Sequence, residues 1–338
     1  MEIKQKVLFC RNFRRFKGCH LTFWNYYNHV RSSAIHQPFI HFSEKTVWSP
    51  ENPWYHEKNS VLKSFDPRGA DILILGSRDW EALNADERDN FPVPIVNLIL
   101  HIRHVEPGDR RHPFLKHKAI RICTSRQMAA AFQKSGVVNG PLFINPHGID
   151  ISQLPPGSAD EKRDIDILIA GLKQPRLALE LKKRLKWSFH FFGKRVEVLT
   201  TLMPRALFLE KMGRARITVF LPNPTEGFYR PPMEGMAMGT LVVCPDFSGN
   251  DELCQDRFNG LRPAYSAREI VRAIREALRL TPADNRAILQ NARETLKKHS
   301  MEAERQRFLN ILNETPAMWR DKSLFKRREP VALFPAAR

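Results

Sequence analysis

Short apolar runs at 7–9, 72–75, 95–100, 119–123 and 142–144 carry no polar alternation, the pattern of strands covered on both faces. Between them lie amphipathic stretches such as 21–31 and 127–134, the second led by Thr124 and Ser125, hydroxyl side chains suited to an N-cap. A βα alternation, and with it a parallel sheet, is predicted over residues 1 to about 150. The polar segment 154–162, LPPGSADEK, favours an exposed linker. The rhythm then restarts, with strands expected at 165–170, 189–192, 217–221 and 241–244. Helices are expected up to Lys186, over 206–213, after Pro231 and Pro232, over 267–280 and over 285–312. The fold class is α/β, with two doubly wound halves at 1–155 and 156–315 and a terminal segment, 316–338, free to cross back to the first.

At 338 residues the chain is long enough for two domains of ordinary size, and 42% hydrophobic residues exclude a wholly disordered one. Lysine and arginine number 54 against 36 acidic residues, and the resulting +18 predicts attraction to a polyanion: nucleic acid, anionic lipid headgroups or phosphate-bearing ligands. Five cysteines show no CxxC pair and no Cys/His zinc spacing, so reduced thiols and a cytoplasmic setting are expected. The amino terminus is too short in apolar residues for a signal peptide, and no run approaches the ~20 apolar residues of a membrane span. Membrane contact, if any, is expected to be peripheral, on the cytoplasmic face.

The run 224–239, PTEGFYRPPMEGMAMG, followed by the apolar 240–244, reads as loop, helix start and strand. Proline suits the first helical turn, which puts Glu234 in that turn and Glu226 in the preceding loop. Both carboxylates are expected at the carboxyl ends of the strands, where open α/β sheets bind ligands. The helix start can hold an anion, and the carboxylates can accept from vicinal hydroxyls, a combination suited to a nucleotide sugar. The bland reading is that Glu234 complements the helix dipole and Glu226 is a solvated loop residue.

This run resembles the E-x7-E signature of retaining GT-B glycosyltransferases of family 4, with Glu226 and Glu234 matching the two glutamates. Further stretches are similar to motifs of that family in the same order: INPHGID at 144–150, ILIAG at 167–171, SGNDEL at 248–253 and Gly260-Leu261. The resemblance implies two Rossmann-like domains facing across a cleft, with the nucleotide diphosphate sugar held mainly by the C-terminal one and the acceptor by the N-terminal one. It implies Glu234 at the ribose, Glu226 at the donor sugar, and Lys173 and Arg176 at the diphosphate, with no cofactor or metal. Leu172 stands where an arginine is usual, and Tyr229-Arg230 where Gly-Leu is usual, so Gly227, Phe228, Tyr229 and Arg230 form a bulkier border to the sugar. Lys194, in the run Phe192-Gly193-Lys194-Arg195, is expected to leave a second strand beside the phosphates.

In the first half, the basic loop RNFRRFKGCH at 11–20 follows the first strand, and Gly18 and His20 are candidates for an acceptor or phosphate loop. His101 ends a predicted strand and is a candidate catalytic residue. The basic, histidine-rich segment 103–118 and the loop 11–17 together suggest an anionic membrane surface. Asp164-Ile165-Asp166 leads straight into a buried strand, unlike a metal-binding turn. The leading expectation is transfer of a sugar to a hydroxyl of a glycan or lipid-linked acceptor, in envelope or surface glycan assembly, with retention and without a metal. Its rivals are a basic nucleic-acid-binding protein, for which no recognised motif is present, and a non-catalytic GT-B scaffold.

Overall fold

The computed structural model describes residues 4–154, 163–186, 192–249, 253–325 and 332–333. In chain order the elements are β1 (Gln5–Arg11), α1 (Gly18–Arg31), β2 (His36–Phe42), β3 (Val61–Leu62), β4 (Ile72–Gly76), α2 (Ala85–Asn90), β5 (Ile95–Ile99), β6 (Ile120–Cys123), α3 (Arg126–Ser135) and β7 (Leu142–Ile144). They continue with β8 (Ile165–Ala170), α4 (Pro175–Lys186), β9 (Val196–Leu199), α5 (Arg205–Arg214), β10 (Ala215–Phe220), α6 (Pro231–Ala237), β11 (Leu241–Val243), α7 (Ala267–Arg279), α8 (Pro282–Lys298), α9 (Met301–Arg320) and β12 (Ala332–Leu333). Most of the linker expected at 154–162, and the strand expected at 189–192 up to Phe192, lie outside the described residues. Among the described residues no helix is long and apolar enough to cross a membrane.

Two compact units result, the first from residues 1–146 and 304–338, the second from 147–303. These limits differ from the 155/156 and 315/316 boundaries read from composition, because chain packing rather than polarity sets them. The first unit holds a parallel sheet in the order β12-β7-β6-β5-β4-β1-β2-β3. Its apolar runs are buried throughout, as two-sided coverage requires. Helix α9 belongs to this unit from Glu304 onward because its side chains are tied to α1. Phe308 meets Tyr26 at 4.4 Å between ring centroids, and Asn145 donates to the Tyr26 hydroxyl (2.8 Å) while accepting from Arg307 (2.9 Å).

The second unit holds a parallel sheet in the order β11-β10-β8-β9. Alternate side chains of β8 and β10 feed two cores. Ile167, Ile169, Ile217 and Val219 pack under α4 and α7, while Ile165, Leu168 and Phe220 pack under α5 and α6. The order reverses direction at β8, whose neighbours are β10 on one side and β9 on the other. The loops leaving β8 and β10 therefore diverge, opening the crevice that doubly wound sheets use for ligands. The single helix expected over 285–312 is two helices, broken at His299-Ser300, where the backbone turns to pair with Ile149.

Candidate active site

The crevice of the second unit joins two loops. Lys173 follows β8, Glu226 follows β10, and Lys173 Nζ donates to Glu226 Oε1 at 2.5 Å. Asn223 Nδ2 donates to the same oxygen (2.9 Å), and Gln174 Nε2 donates to Asn223 Oδ1 (3.1 Å). Burying the Glu226 carboxylate, 8% exposed, would be costly without such charge-assisted partners. Two glycines let the backbones close around it. A Cβ on Gly171 would lie 2.2 Å from the Ala178 Cβ, and one on Gly249 would lie 2.1 Å from the Gly227 carbonyl oxygen.

Glu234 sits in the first turn of α6, behind Pro231 and Pro232. Its Oε1 accepts from Arg205 Nε (3.1 Å) and Nη2 (2.7 Å). Glu234 is buried, whereas the Arg205 side chain, at the start of α5, is 47% exposed. The two glutamates are thus each closed by a cation that is half open to solvent. A polyanionic ligand can draw both cations away and leave two buried carboxylates as hydrogen-bond acceptors.

The loop between the glutamates is held from within the unit. Tyr229 is buried, with its ring 5.0 Å from Lys173 Nζ, and burial raises its phenol well above the ordinary range. Tyr265, pushed up to about 12 mainly by burial and then by negative neighbours, donates to the Pro222 carbonyl. Phe228 lies edge-on to His147 at 5.1 Å, and Arg230 donates to His147 Nδ1 at 3.2 Å. Tyr229 therefore packs into the core as well as against Lys173, and Arg230 is directed to His147.

Other candidates fall elsewhere. Arg176 is exposed in the first turn of α4, one turn from Lys173. Lys194 precedes β9 instead of leaving a strand, so it lies at the opposite end of the parallel sheet, 3.8 Å from Asp166. That corrects its expected place beside Lys173. Asp164 and Asp166 pair there with Arg195, Arg214 and Arg216.

In the first unit the sheet reverses at β1 and β4, where Arg11 and Asp79 form a buried ion pair at 2.5 Å with Arg11 stacked over Phe23. His20 is buried against Phe13, and burial, then Arg11 and Lys17, lower it to about 4. It is a neutral packing residue in this state. Gly18 opens α1 and is exposed beside Arg14, Arg15 and Lys17. His101 follows β5 and accepts from the Arg103 backbone N–H at 3.1 Å. Much of the basic segment after it turns inward. His104 is buried, His117 pairs with Asp89 (2.7 Å), and Lys118 caps the Trp319 ring at 4.0 Å. Only Arg103, Arg110 and Lys116 among its lysines and arginines are exposed.

Arg205, Asn223 and Gln174 were not marked by the sequence, since nothing in their local pattern separates them from ordinary surface residues. Their role appears only when α5, the β8 loop and the β10 loop meet. Among the described residues no group of three or more His, Cys, Asp and Glu side chains could hold a metal ion.

Residues 154–295, which include every one of these second-unit contacts except those of His147, match the family model described as glycosyl transferases group 1. No curated protein matches the chain. Solved structures share the fold. Anabaena HepE in complex with UDP-glucose is 14% identical with a TM-score of 0.69, over 92% of this chain and 100% of that one. Sucrose-phosphate synthase from Thermosynechococcus elongatus is 12% identical with a TM-score of 0.68, over 93% and 100%. The lipopolysaccharide outer core galactosyltransferase WaaB is 12% identical with a TM-score of 0.62, over 91% and 99%. The chain thus has the GT-B fold, with two Rossmann-like domains, the second of which matches the glycosyl transferases group 1 model over residues 154–295.

Proposed function

We propose that the protein transfers a sugar from a nucleotide diphosphate sugar to a hydroxyl acceptor with retention of anomeric configuration, as a family 4 enzyme whose E-x7-E pair is Glu226 and Glu234. The observation that carries this reading is the pair of cation-closed carboxylates at the switch point of the second sheet. Donor binding draws Lys173 from Glu226 to the diphosphate, with Arg176 and the start of α4 adding positive potential. Glu226 then accepts from sugar hydroxyls, and Glu234, released by Arg205, accepts from the ribose diol. As the bond from the anomeric carbon to the diphosphate breaks, its electron pair leaves on a phosphate oxygen that Lys173 stabilises, while the acceptor hydroxyl oxygen bonds the same face of that carbon and passes its proton to the departing phosphate oxygen, so the chain's own cations serve in place of a metal. Glu226, still held by Asn223, orients the sugar instead of attacking it.

His101 is the catalytic candidate on the acceptor side; with Nδ1 accepting from a backbone N–H, its neutral ring carries the proton on Nε2. For the acceptor we favour a glycan or lipid-linked hydroxyl of envelope assembly on the cytoplasmic side of a membrane. The exposed Arg14, Arg15 and Lys17 around Phe16 support that choice. The proposal is tested by incubating the protein with UDP-, GDP-, ADP- and dTDP-sugars, with and without EDTA, and following nucleotide release and the anomeric proton signals of the product. Release from one donor, with retained configuration and indifference to EDTA, is expected. Inverted product, or release that needs a divalent ion, would contradict it.

A further inference from the structure

The second unit carries a basic face that the proposed site does not use. Helices α4 and α7 lie side by side on the face of the sheet away from α6 and its glutamate. Helix α7 buries Ile270, Ala273, Ile274 and Ala277, and at 3.6 residues per turn Arg268, Arg272, Arg275 and Arg279 fall in the middle of its outward side. Helix α4 buries Ala178, Leu181 and Leu185 and, beyond the Arg176 turn, directs Leu179 and Lys183 outward. Together the two helices hold nine basic and three acidic residues. All three acids are already paired: Glu180 with Arg184 at 2.8 Å, Glu269 with Arg272 at 2.7 Å, and Glu276 with Arg257 at 2.6 Å.

Two further features choose among polyanions. Leu179 is 55% exposed amid the cations, and Phe192, beyond the end of α4 and just ahead of Lys194 and Arg195, is 87% exposed. An open groove of about 550 Å³ beside the last turns of α7 is lined by Arg272, Arg275, Glu276, Arg279, Leu280 and Asp284. It is roomy enough for a phosphate headgroup.

We propose that the outward face of α4 and α7 docks the protein on an anionic phospholipid surface. The arginines and lysines take the headgroup phosphates, while Leu179 and Phe192 enter the acyl boundary. A nucleic-acid backbone would offer phosphates but nothing apolar for Leu179, and with no aromatic side chain on either helix Phe192 does not belong to a row of rings on which successive bases could stack. A second copy of the chain carries the same +18 and is repelled. This docking does not depend on the transferase reading.

The test is co-sedimentation of the full chain with vesicles of phosphatidylcholine alone and with about one third phosphatidylglycerol, alongside competition by single-stranded and duplex oligonucleotides. Wild type is expected to bind the anionic vesicles only, and to release them as salt rises. Arg268→Glu combined with Arg279→Glu should weaken partitioning at least about 25-fold, from roughly fivefold per charge. Leu179→Ser should weaken it less, and Arg14→Glu with Arg15→Glu in the first unit should leave most of it. Unchanged partitioning of the α7 variant would overturn the proposal, as would displacement of the vesicles by stoichiometric oligonucleotide. All five altered side chains are solvent-facing, and melting temperature with and without nucleotide sugar confirms that each variant remains folded and keeps its own donor response.

Discussion

A carboxylate is a good acceptor for sugar hydroxyls only if something satisfies it when the sugar is absent. Lys173 and Arg205 do this for Glu226 and Glu234, and each holds its glutamate through charge-assisted bonds worth about 1.5–3 kcal/mol. Lys173→Ala should therefore weaken donor affinity and slow turnover by about 10–100-fold, since it removes the proposed diphosphate ligand and strands Glu226. Arg205→Ala should raise donor KM more than it lowers kcat, because its interaction is with Glu234, the carboxylate proposed for the ribose, and not the reacting bond. Steady-state kinetics of the two variants separates these outcomes, and equal effects on kcat from both would contradict the assignment.

Histidine burial gives a second residue-scale expectation. His20 is lowered from 6.5 to about 4, and His104 to about 3, chiefly by burial and then by nearby arginines. Between pH 6.5 and 4 the unfolded chain binds protons there that the folded chain does not, so stability is full above pH 6.5 and falls as pH drops. The slope is about 1.4 kcal/mol per pH unit for each histidine. Denaturant unfolding at pH 7 and pH 5 should differ by about 2 kcal/mol per histidine, and His20→Gln should reduce the difference. A flat profile would mean that these rings are protonated in the fold.

At the scale of elements, most strands were legible because two-sided burial leaves unbroken apolar runs. Strand β2 was not, since His36-Gln37-Pro38 reads as polar and proline-broken. Pro38 lies outside the Ile40-His41 stretch that pairs with β3, in a part of the strand that is an edge, where proline is tolerated. The helix break at His299-Ser300 was equally hidden, because its cause is a distant segment. Ile149 donates its N–H to the His299 carbonyl at 2.8 Å, and a Cβ on Gly148 would lie 2.7 Å from both the Met301 Cα and the Ser300 carbonyl oxygen. Gly148→Ala should accordingly destabilise the second unit by about 1–3 kcal/mol through overpacking, read as a lower melting temperature. An unchanged melt would show that the 147–150 turn is not clamped against the start of α9.

For the whole molecule, the sequence spoke most clearly where chemistry and position coincide. Glu226 and Glu234 stand in a run whose loop, helix start and strand fix their place, and Lys173 follows a strand that periodicity alone predicts. Lys194 was misplaced because a basic residue near a glycine carries no information about which end of a strand it flanks. Arg205 escaped notice because its partner is 29 positions away in the chain. The two basic surfaces, the 14–17 loop of the first unit and the α4/α7 face of the second, are assembled from residues whose exposure only the fold decides. The claim on which the rest depends is that the second unit binds a nucleotide sugar through Glu234 and Lys173. Calorimetric titration of UDP-, GDP-, ADP- and dTDP-sugars into wild type and Glu234→Ala tests it directly. One donor should bind wild type, and the variant, at a temperature well below its own melting transition, should bind it at least about tenfold more weakly. Equal donor affinity in the two proteins, or binding of none of the four by wild type, would contradict the account.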